Sequence, residues 1–576
     1  MMNIQINQVG YMPNDYKTVT FRIGDTVSVS DSVNKGENAG NTFRVIDTQT
    51  GEVIYEGELS DNIKSKGNGE VNQTGDFSAV TKPGKYVVES EAGERSYQFE
   101  VGENVYDDIL AASMKMYYLQ RCGVSIDKMY AGKYTHPECH AAKARIYGTD
   151  KFIDVSGAWH DAGDYGRYVV AGAKAAVDLM MAYEYYPEVM SRPYIASGPL
   201  TAKDAKDYNS IAPEILDEIK FELDWMLKMQ DEESGGVYHK VTCAGFPGFV
   251  MPQFETEELI VSPISDTATC DFAATMAYAY RFYNKACEDV LKLECKGREH
   301  LRGPKALEYK VAACRYLEAA KKAMVFLENN SAGEFLNPEG IVTGEYGDRR
   351  TIDEFYWAYA EMYKTTGDKK YEDAMKAINI ADVPGEFGWK EVGDYAFYAY
   401  ITAPWEDKDE DLYNACLARL EEEAKVKNAN FEKDPYGASI YGNFYWGCNM
   451  EIADNARRCI ILDKLNGTDT YKKMIDAQLS YLLGNNPNSK CFVTGFGTDS
   501  PKNPHHRPSV ANRDSMPGML VGGPEPLLLD DVAKELLKGK PKAKCYLDHT
   551  DSYSTNEITI YWNSPLVFLL AHEISR

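Results

Sequence analysis

Residues 85–119 read KYVVESEAGERSYQFEVGENVYDDILAASMKMYYL, and within them the chain changes from β-strand to α-helix periodicity. Residues 85–88 belong to an alternating, strand-like pattern. From residue 106 onward, apolar side chains recur at helical spacing, as in Ile109, Ala112, Met116 and Leu119. We therefore expect two domains, a small all-β domain at residues 1–103 and an all-α domain at residues 104–576.

The amino-terminal region is rich in short runs of alternating and β-branched residues. These runs lie at residues 18–22, 43–46, 53–55 and 85–88. Turn-forming residues separate them at 50–51, 67–69 and 82–84. Short strands divided by Gly- and Pro-containing turns are typical of a small β-sandwich.

Long helical patterns fill most of the remaining chain. The clearest lie at residues 211–230, 269–283, 305–328, 353–365, 410–426, 447–464 and 469–483. The first of them carries Pro213, which we place in the first helical turn. In total the pattern predicts roughly a dozen helices, which favours an all-α barrel of helical hairpins whose loops carry the function.

The charge of the chain limits its partners. Its 576 residues include 88 acidic side chains against 62 Lys and Arg, a formal net charge of −26. Such a surface repels nucleic acid and anionic membranes, and no apolar run is long enough to span a bilayer. Aromatic residues make up 12% of the chain. They indicate either a Tyr-rich core or a groove for a sugar polymer.

The amino terminus, MMNIQINQVGYMPND, has neither a basic start nor an apolar segment of a secretory signal. We expect a cytoplasmic protein, although a secreted protein whose signal was removed would have the same sequence. The twelve Cys are too sparse for a disulfide scaffold. Most are expected to be buried thiols in a reducing compartment.

Two carboxylates stand close together in the segment GAWHDAGDYGRY (157–168). Asp161 and Asp164 flank an Ala-Gly turn, so both side chains can point into one pocket and share a water molecule. Mutual repulsion and the charge of Arg167 would then set their pKa values. The alternative is a solvated Asx-rich turn.

Two further segments near the carboxyl terminus have candidate site residues. Glu557 precedes the apolar run 566–570, so burial there would raise its pKa and suit it to act as an acid. It could equally be a helix-capping carboxylate. The segment PHHRPS (504–509) offers His505 and His506 as donors to hydroxyl groups, unless they are buried and inert.

Several motifs together resemble glycoside hydrolase family 9. They are NQVGYMP (7–13), DAGDYGRY (161–168), GGVYHKVT (235–242), DEFYWA (353–358), VTGFG (493–497), PHHR (504–507) and DSYSTNEITIYWNSPLVF (551–568). The first is similar to the start of the immunoglobulin-like domain that precedes the catalytic domain in part of this family. The resemblance spans essentially the whole chain, and the motifs occur in the order of the family.

The resemblance implies an immunoglobulin-like sandwich followed by an (α/α)6 barrel. It implies an inverting hydrolase of β-1,4-glucans in which Asp164 is the base, Asp161 holds the attacking water and Glu557 is the general acid. His505, Arg507, Asp548 and Tyr553 match substrate-binding positions. Two residues depart from the pattern near the VTGFG loop, Cys491 and Asp499, so sugar contacts there are in doubt.

Metal ions are also indicated. Cys122, Cys139, His140 and His160 form the pattern C-x16-C-H-x19-H, whose ligand types suit tetrahedral zinc, although Cys-His pairs also occur by chance. Relatives with an immunoglobulin-like domain resemble this pattern and carry a structural zinc. A zinc ion there would brace the loop, because His160 directly precedes Asp161. Calcium candidates are Asp348, Asp353 and Glu354, which could instead begin a helix. No organic cofactor is expected.

The substrate expectation follows from the absence of an export signal. A cytoplasmic hydrolase would meet soluble cello-oligosaccharides, so we expect a cellodextrinase that releases glucose or cellobiose from chain ends. The insert at 241–266 and the segment after Trp405 are candidates for closing one end of the groove. The alternatives are an open-groove endoglucanase, an exo-glycosidase acting on chitosan-type amino-sugar oligomers and a non-catalytic carbohydrate-binding relative.

Overall fold

The computed structural model describes residues 3–25, 40–64, 66–206, 208, 211–294 and 297–576. The chain forms two compact units. One consists of Met1–Met116 together with Ala424–Arg576, and the other of Tyr117–Glu423. Among the described residues, no helix has both the length and the apolar character needed to cross a membrane.

The amino-terminal strands build two sheets of a β-sandwich, as predicted. The strands are β1 (Ile4–Gln5), β2 (Gly10–Tyr11), β3 (Thr18–Asp25), β4 (Thr42–Asp47), β5 (Val53–Glu58), β6 (Ile63–Lys64), β7 (Glu70–Asp76), β8 (Gly84–Ser90) and β9 (Phe99–Val101). One sheet has the order β1-β3-β7-β6 and the other β2-β9-β8-β4-β5. Their core includes Phe21, Phe43 and Tyr86, the inward-facing residues of the alternating runs.

Helices follow from residue 107 almost to the carboxyl terminus. They are α1 (Asp107–Leu119), α2 (Lys128–Ala131), α3 (Val169–Tyr185), α4 (Pro187–Met190), α5 (Glu214–Lys228), α6 (Asp266–Lys292), α7 (Arg302–Asn329), α8 (Ile352–Thr366), α9 (Lys369–Lys376), α10 (Gly393–Ile401), α11 (Glu410–Lys433), α12 (Cys448–Asn466), α13 (Lys472–Leu482), α14 (Arg507–Ala511), α15 (Asp531–Leu537), α16 (Tyr553–Asn556) and α17 (Ile560–Ser575).

The predicted helical patterns coincide with α5, α6, α7, α8, α11, α12 and α13. Pro213 lies outside the first turn, because it is the N-cap of α5 and the helix begins at Glu214. Helix α6 begins earlier than predicted, since the Ser265 hydroxyl caps it by accepting a hydrogen bond from the Ala268 N–H. The predicted domain boundary after residue 103 falls between β9 and α1 and stays a prediction.

The prediction of a purely helical region from residue 104 is wrong in one respect. A five-stranded sheet lies within it, formed by β10 (Ala144–Ile146), β11 (Phe152–Ile153), β12 (Arg167–Tyr168), β13 (Lys240–Thr242) and β14 (Ile260–Val261). Its order is β11-β10-β14-β13-β12. Each strand has only two or three residues, too few for a period-2 pattern to be read.

Within the unit of residues 117–423, α6 packs along α7, and α3, α6, α8 and α10 pack in succession. Helix α3 is buried from Val169 to Ala182, so it lies in the core of this unit. In the other unit, α12 packs against α13 and α17. The loops at the ends of these buried helices position the site residues.

Candidate active site

The predicted carboxylate pair lies on the loop that leads into β12 and α3. The Asp161 N–H donates to the Gly166 carbonyl at 2.9 Å. The Asp164 carboxylate accepts the Gly166 N–H at 3.1 Å. These bonds close a tight turn, and the two buried carboxylates lie close enough for the charge of Asp164 to act on Asp161. The loop is therefore not a solvated turn.

The two oxygens of Asp161 have different surroundings. Oδ2 accepts a hydrogen bond from the Tyr346 hydroxyl at 2.6 Å. Oδ1 is buried and accepts no hydrogen bond from the described residues. Burial raises the pKa of Asp161 well above its ordinary value, the charge of Asp164 adds to this, and the bond from Tyr346 opposes it. Oδ1 is thus a buried acceptor whose capacity for a hydrogen bond is unused by the described residues.

Tyr346 was not predicted from the sequence. Its φ of 51° is unusual for a residue with a side chain, so the surrounding loop must hold this conformation. The Tyr346 ring lies 4.6 Å from the Tyr168 ring and 4.8 Å from the Trp389 ring. No motif marks this residue, since it stands 185 positions from its partner.

Strand β13 holds the segment that carries Tyr346. His239, immediately before the strand, lies with Nε2 3.0 Å from the Glu345 carbonyl. The buried Lys240 ammonium donates to Asn337 Oδ1 at 2.6 Å and to the Gly344 carbonyl at 2.5 Å. Burial lowers the pKa of Lys240 to about 7, although the charges of Asp164 and Glu345 oppose the shift.

Helix α5 fixes the other side of the loop. The Trp159 backbone N–H donates to Glu222 at 2.7 Å, and its indole N–H donates to Glu218 at 2.8 Å. Glu218 also receives a two-pronged contact from Arg121 at 2.8 and 2.9 Å. Burial raises the pKa of Glu222 to about 8. Two carboxylates one turn apart thus hold the residue two positions before Asp161.

The predicted metal ligands come together in the unit of residues 117–423. The ligand atoms of Cys122, Cys139, His140 and His160 lie within 4.8 Å of one another. His140 directs Nε2 to Glu255 at 2.9 Å, and its buried Nδ1 has no hydrogen-bond partner among the described residues. A carboxylate that orients a histidine in this way is typical of metal centres. Two sulfurs and two ring nitrogens in a buried cluster suit a closed tetrahedral site.

The calcium candidates form part of a buried acidic cluster. Asp353 and Glu354 begin α8, Asp348 precedes it, and Asp271 on α6 joins them. Burial raises the pKa of Asp353 to about 7. Asp353 Oδ1, Glu354 Oε2 and Asp271 Oδ1 have no hydrogen-bond partner within the described part of the chain. Asp271 was missed because its position in a helical pattern carries no motif.

A second buried carboxylate cluster, Asp15, Asp476 and Glu573, lies in the other unit. It has its own cation, because the Arg576 guanidinium lies 3.1 Å from Asp15 and 2.7 Å from Asp476. These three carboxylates therefore serve an ion-pair network.

Glu557 lies in the unit that contains the carboxyl terminus. It follows α16, its carbonyl accepts the Gly522 N–H at 3.0 Å, and its backbone pairs with that of His505. Helix α17 begins only at Ile560 and is capped by the Thr559 hydroxyl, which accepts the Trp562 N–H at 3.0 Å. Glu557 therefore does not cap α17.

The predicted sugar-binding residues lie near Glu557. The His505 backbone N–H donates to the Asn556 carbonyl at 2.9 Å, and its ring Nδ1 lies 2.6 Å from the Thr550 carbonyl. The Tyr553 hydroxyl donates to the Leu529 carbonyl at 3.0 Å. The Tyr553 ring lies 5.6 Å from Trp446, which is 41% exposed and was not predicted. An exposed indole beside a fixed tyrosine provides a flat apolar surface.

The remaining predicted residues of this segment are more enclosed. Arg507 is buried and begins α14. The Asp548 carboxylate accepts the N–H groups of Lys502 and Asn503, each at 2.8 Å, and so holds that loop. His506 is buried and its ring contacts Ser509 at 2.8 Å, which fits the inert alternative. The roles of Arg507 and Asp548 in binding substrate stay predictions.

The two unusual residues near the VTGFG loop have structural partners. Cys491 is fully buried, and its N–H donates to the Asp499 carbonyl at 2.8 Å. The Asp499 side chain pairs with Lys490 at 2.6 Å. Both residues therefore stabilise the loop from within.

Comparison with known proteins identifies the family. The model of Glycosyl hydrolase family 9 matches residues 106–570, and that of the cellulase N-terminal ig-like domain matches residues 1–95. A cellodextrinase of Butyrivibrio fibrisolvens is 33% identical, and the alignment covers 99% of each chain. A single mutant of a thermostable endoglucanase from Alicyclobacillus acidocaldarius has a TM-score of 0.86 and 32% identity, with 100% of both chains covered.

A solved Zn-binding triple mutant of a family 9 endoglucanase gives a TM-score of 0.85 and 31% identity, covering 98% of this chain and 99% of that one. The chain belongs to glycoside hydrolase family 9. It is an enzyme, a glycoside hydrolase with an amino-terminal immunoglobulin-like domain, so the non-catalytic alternative is excluded.

Proposed function

We propose that this enzyme hydrolyses β-1,4-glucosidic bonds of cello-oligosaccharides from chain ends, with inversion at the anomeric carbon. The observation that carries the proposal is the Asp161 carboxylate, which feels the charge of Asp164 and accepts a hydrogen bond from Tyr346 at Oδ2, while its buried Oδ1 has no partner among the described residues. Similarity to a cellodextrinase over 99% of both chains supports this substrate class.

In the proposed mechanism, Asp161 Oδ1 accepts one hydrogen of a water molecule and so orients it. Asp164 takes the other proton as the water attacks the anomeric carbon. Glu557 gives its proton to the leaving oxygen. Since a water molecule is the nucleophile, the product has the opposite anomeric configuration from the substrate.

Sugar recognition is assigned to the residues near Glu557. His505, Arg507 and Asp548 provide hydrogen bonds to hydroxyl groups, and the Tyr553 ring with the exposed Trp446 provides a stacking face. A pyranose ring has an apolar face and a polar rim, which suits this combination.

We also propose a zinc ion in the cluster of Cys122, Cys139, His140 and His160. The donor set and the unpartnered His140 Nδ1 support it. When bound, zinc would link the chain around Cys122 and Cys139 to the residue before Asp161, so its role is structural. Calcium is proposed for Asp348, Asp353 and Glu354, because Asp353 Oδ1 and Glu354 Oε2 have no hydrogen-bond partner among the described residues.

The proposed architecture of the helical region is an (α/α)6 barrel, with the domain boundary after residue 103. A reducing compartment is proposed for the enzyme, and the eleven described cysteines, none of which forms a disulfide, support it.

The competing function is an open-groove endoglucanase, favoured by the likeness to solved endoglucanases. Carboxymethylcellulose distinguishes the two. We expect reducing sugar to appear with little loss of viscosity, because an enzyme acting at chain ends leaves the polymer long. Rapid thinning at low sugar release would establish the endo mode. Asp164→Asn is the control for residual activity.

The same panel tests amino-sugar substrates and stereochemistry. Cellohexaose should be cleaved and chitohexaose should not, and the reverse preference would establish the amino-sugar alternative. Proton NMR of the first product should show the α-anomer, and a β-anomer would refute inversion.

A further inference from the structure

The segment 244–260 joins β13 to β14 and has no function in the mechanism above. We call it the 244–260 loop. Its two ends approach each other, because the Cys243 Sγ lies 3.6 Å from the Glu257 carbonyl. The loop lines a cavity of about 620 Å³. A volume of this order suits a small ligand.

The loop is attached at three points. The Ala244 carbonyl accepts the Val342 N–H at 2.8 Å. The Val250 carbonyl accepts the Tyr165 hydroxyl at 2.5 Å. Glu255 contacts His140 Nε2 at 2.9 Å.

Each attachment ends on a part of the candidate active site. Val342 belongs to the segment that carries Tyr346, Tyr165 directly follows Asp164, and His140 is a metal-cluster residue. The loop is therefore fixed relative to the two carboxylates. A loop tied to rigid elements in this way can present side chains to a substrate with little loss of entropy on binding.

Two large aromatic side chains on this loop are exposed where they line the cavity. Phe246 is 50% exposed and Phe254 is 65% exposed. Glu257 and Glu258 line the same cavity, and the Glu258 carboxylate accepts two hydrogen bonds from Arg145, at 2.9 and 2.7 Å. A cavity lined by both phenyl rings and carboxylates offers surfaces for the C–H face and for the hydroxyl rim of a pyranose.

We propose that the 244–260 loop forms a binding subsite for a glucosyl unit away from the bond that is cleaved, with the sugar stacked on Phe246 and Phe254. This rests on the proposed function as a β-1,4-glucan hydrolase. The subsite makes longer cello-oligosaccharides better substrates than short ones. Through the contact between Glu255 and His140, the metal cluster helps to hold the subsite in place.

The test compares substrates by length. For the parent, Phe246→Ala and Phe254→Ala, kcat/KM is measured on cellotriose, cellopentaose and an aryl β-cellobioside. Each loss of a ring is expected to lower the ratio of kcat/KM for cellopentaose to that for the aryl cellobioside by about fivefold, the scale of one aromatic contact. Phe152→Ala is the control, because Phe152 is 50% exposed but does not line the cavity.

A second variant tests the attachment. Glu255→Gln keeps the size of the side chain and removes its charge. It should lower the same ratio. Because Glu255 also orients His140, zinc content is measured in parallel and the ratio is compared between samples of equal zinc content. A purely structural effect would lower kcat/KM equally on both substrates and would contradict the proposal.

Binding without turnover separates this inference from the proposed function. In the Asp164→Asn background, calorimetry with cellohexaose should show weaker binding when Phe246 or Phe254 is replaced and no change when Phe152 is replaced. Equal affinities in all variants would overturn the subsite even if the parent hydrolyses glucans. If the Phe246 and Phe254 variants bind cellohexaose more weakly but the parent cleaves no glucan, the subsite is retained and the hydrolytic function is refuted.

Discussion

The hydrogen bond from Tyr346 to Asp161 offers a precise test of the carboxylate pair. Tyr346→Phe removes the hydroxyl and keeps the ring that contacts Tyr168 and Trp389. Among the described residues, Tyr346 is the one side chain that donates to the Asp161 carboxylate, at 2.6 Å. Its loss leaves a second buried oxygen without a partner.

The size of the effect follows from that bond. A hydrogen bond to a charged group contributes about 1.5–3 kcal/mol. If Asp161 must be ionised to accept the water, kcat should fall about 10- to 150-fold on cello-oligosaccharides. Because the bond lowers the pKa of Asp161, its loss raises that pKa further, and the acidic limb of the kcat profile should move to higher pH.

The assay is the pH dependence of kcat on cellotetraose, together with the midpoint of thermal unfolding. Tyr400→Phe is the matched control, because the Tyr400 hydroxyl donates to Glu372 at 2.6 Å within the same unit and outside the candidate site. The control should lower stability and leave the kcat profile in place. A Tyr346→Phe enzyme with kcat within about twofold of the parent and an unmoved acidic limb would refute the role given to Asp161.

Three further predictions concern the metal cluster and the carboxylates. Cys139→Ala should lower the midpoint of thermal unfolding by several degrees, while kcat of the folded fraction stays within about threefold of the parent value. Metal analysis that finds no zinc in the parent, together with equal stability of parent and variant, would contradict this. Glu557→Gln should abolish turnover of glucans but retain much activity on substrates with an acidic leaving group, whereas Asp164→Asn should fail on both. Asp161→Asn should be inactive yet more stable near neutral pH, because burial raises the pKa of Asp161 and the folded protein must bury that charge as the pH rises. The stability gain should be absent below about pH 4, the unfolded value, and grow above it, as thermal unfolding at several pH values would reveal.

The long elements could be predicted because their patterns are long. Helices α6 and α7 have 27 and 28 residues, enough for several turns of apolar periodicity. The sandwich was predicted for the same reason, since β3 and β8 have 8 and 7 residues. Strands of two or three residues contain at most one and a half repeats of the period-2 pattern, too few to recognise, and so β10 to β14 could not be found.

The site residues also divide into those that could be predicted from the sequence and those that could not. Residues inside one contiguous motif, such as Asp161 and Asp164, could be found because the motif holds both. Tyr346 could not, because it reaches Asp161 from a loop 185 positions away. The metal ligands form an intermediate case, in which residue type and spacing indicated a site before any fold was known.

The sheet that the sequence did not reveal is the element that assembles the site in its unit. Strand β12 continues directly from the Asp161–Asp164 loop and pairs with β13, where Tyr168 lies opposite Lys240. Lys240 in turn holds Gly344, close to Tyr346 in the chain, while β13 and β14 are the two ends of the 244–260 loop. Three segments far apart in sequence thus meet on strands of two or three residues. A short sheet of this kind adds little to the apolar core. Its contribution is to fix the positions of the loops that it joins, and a site made from residues distant in sequence requires such fixed loops.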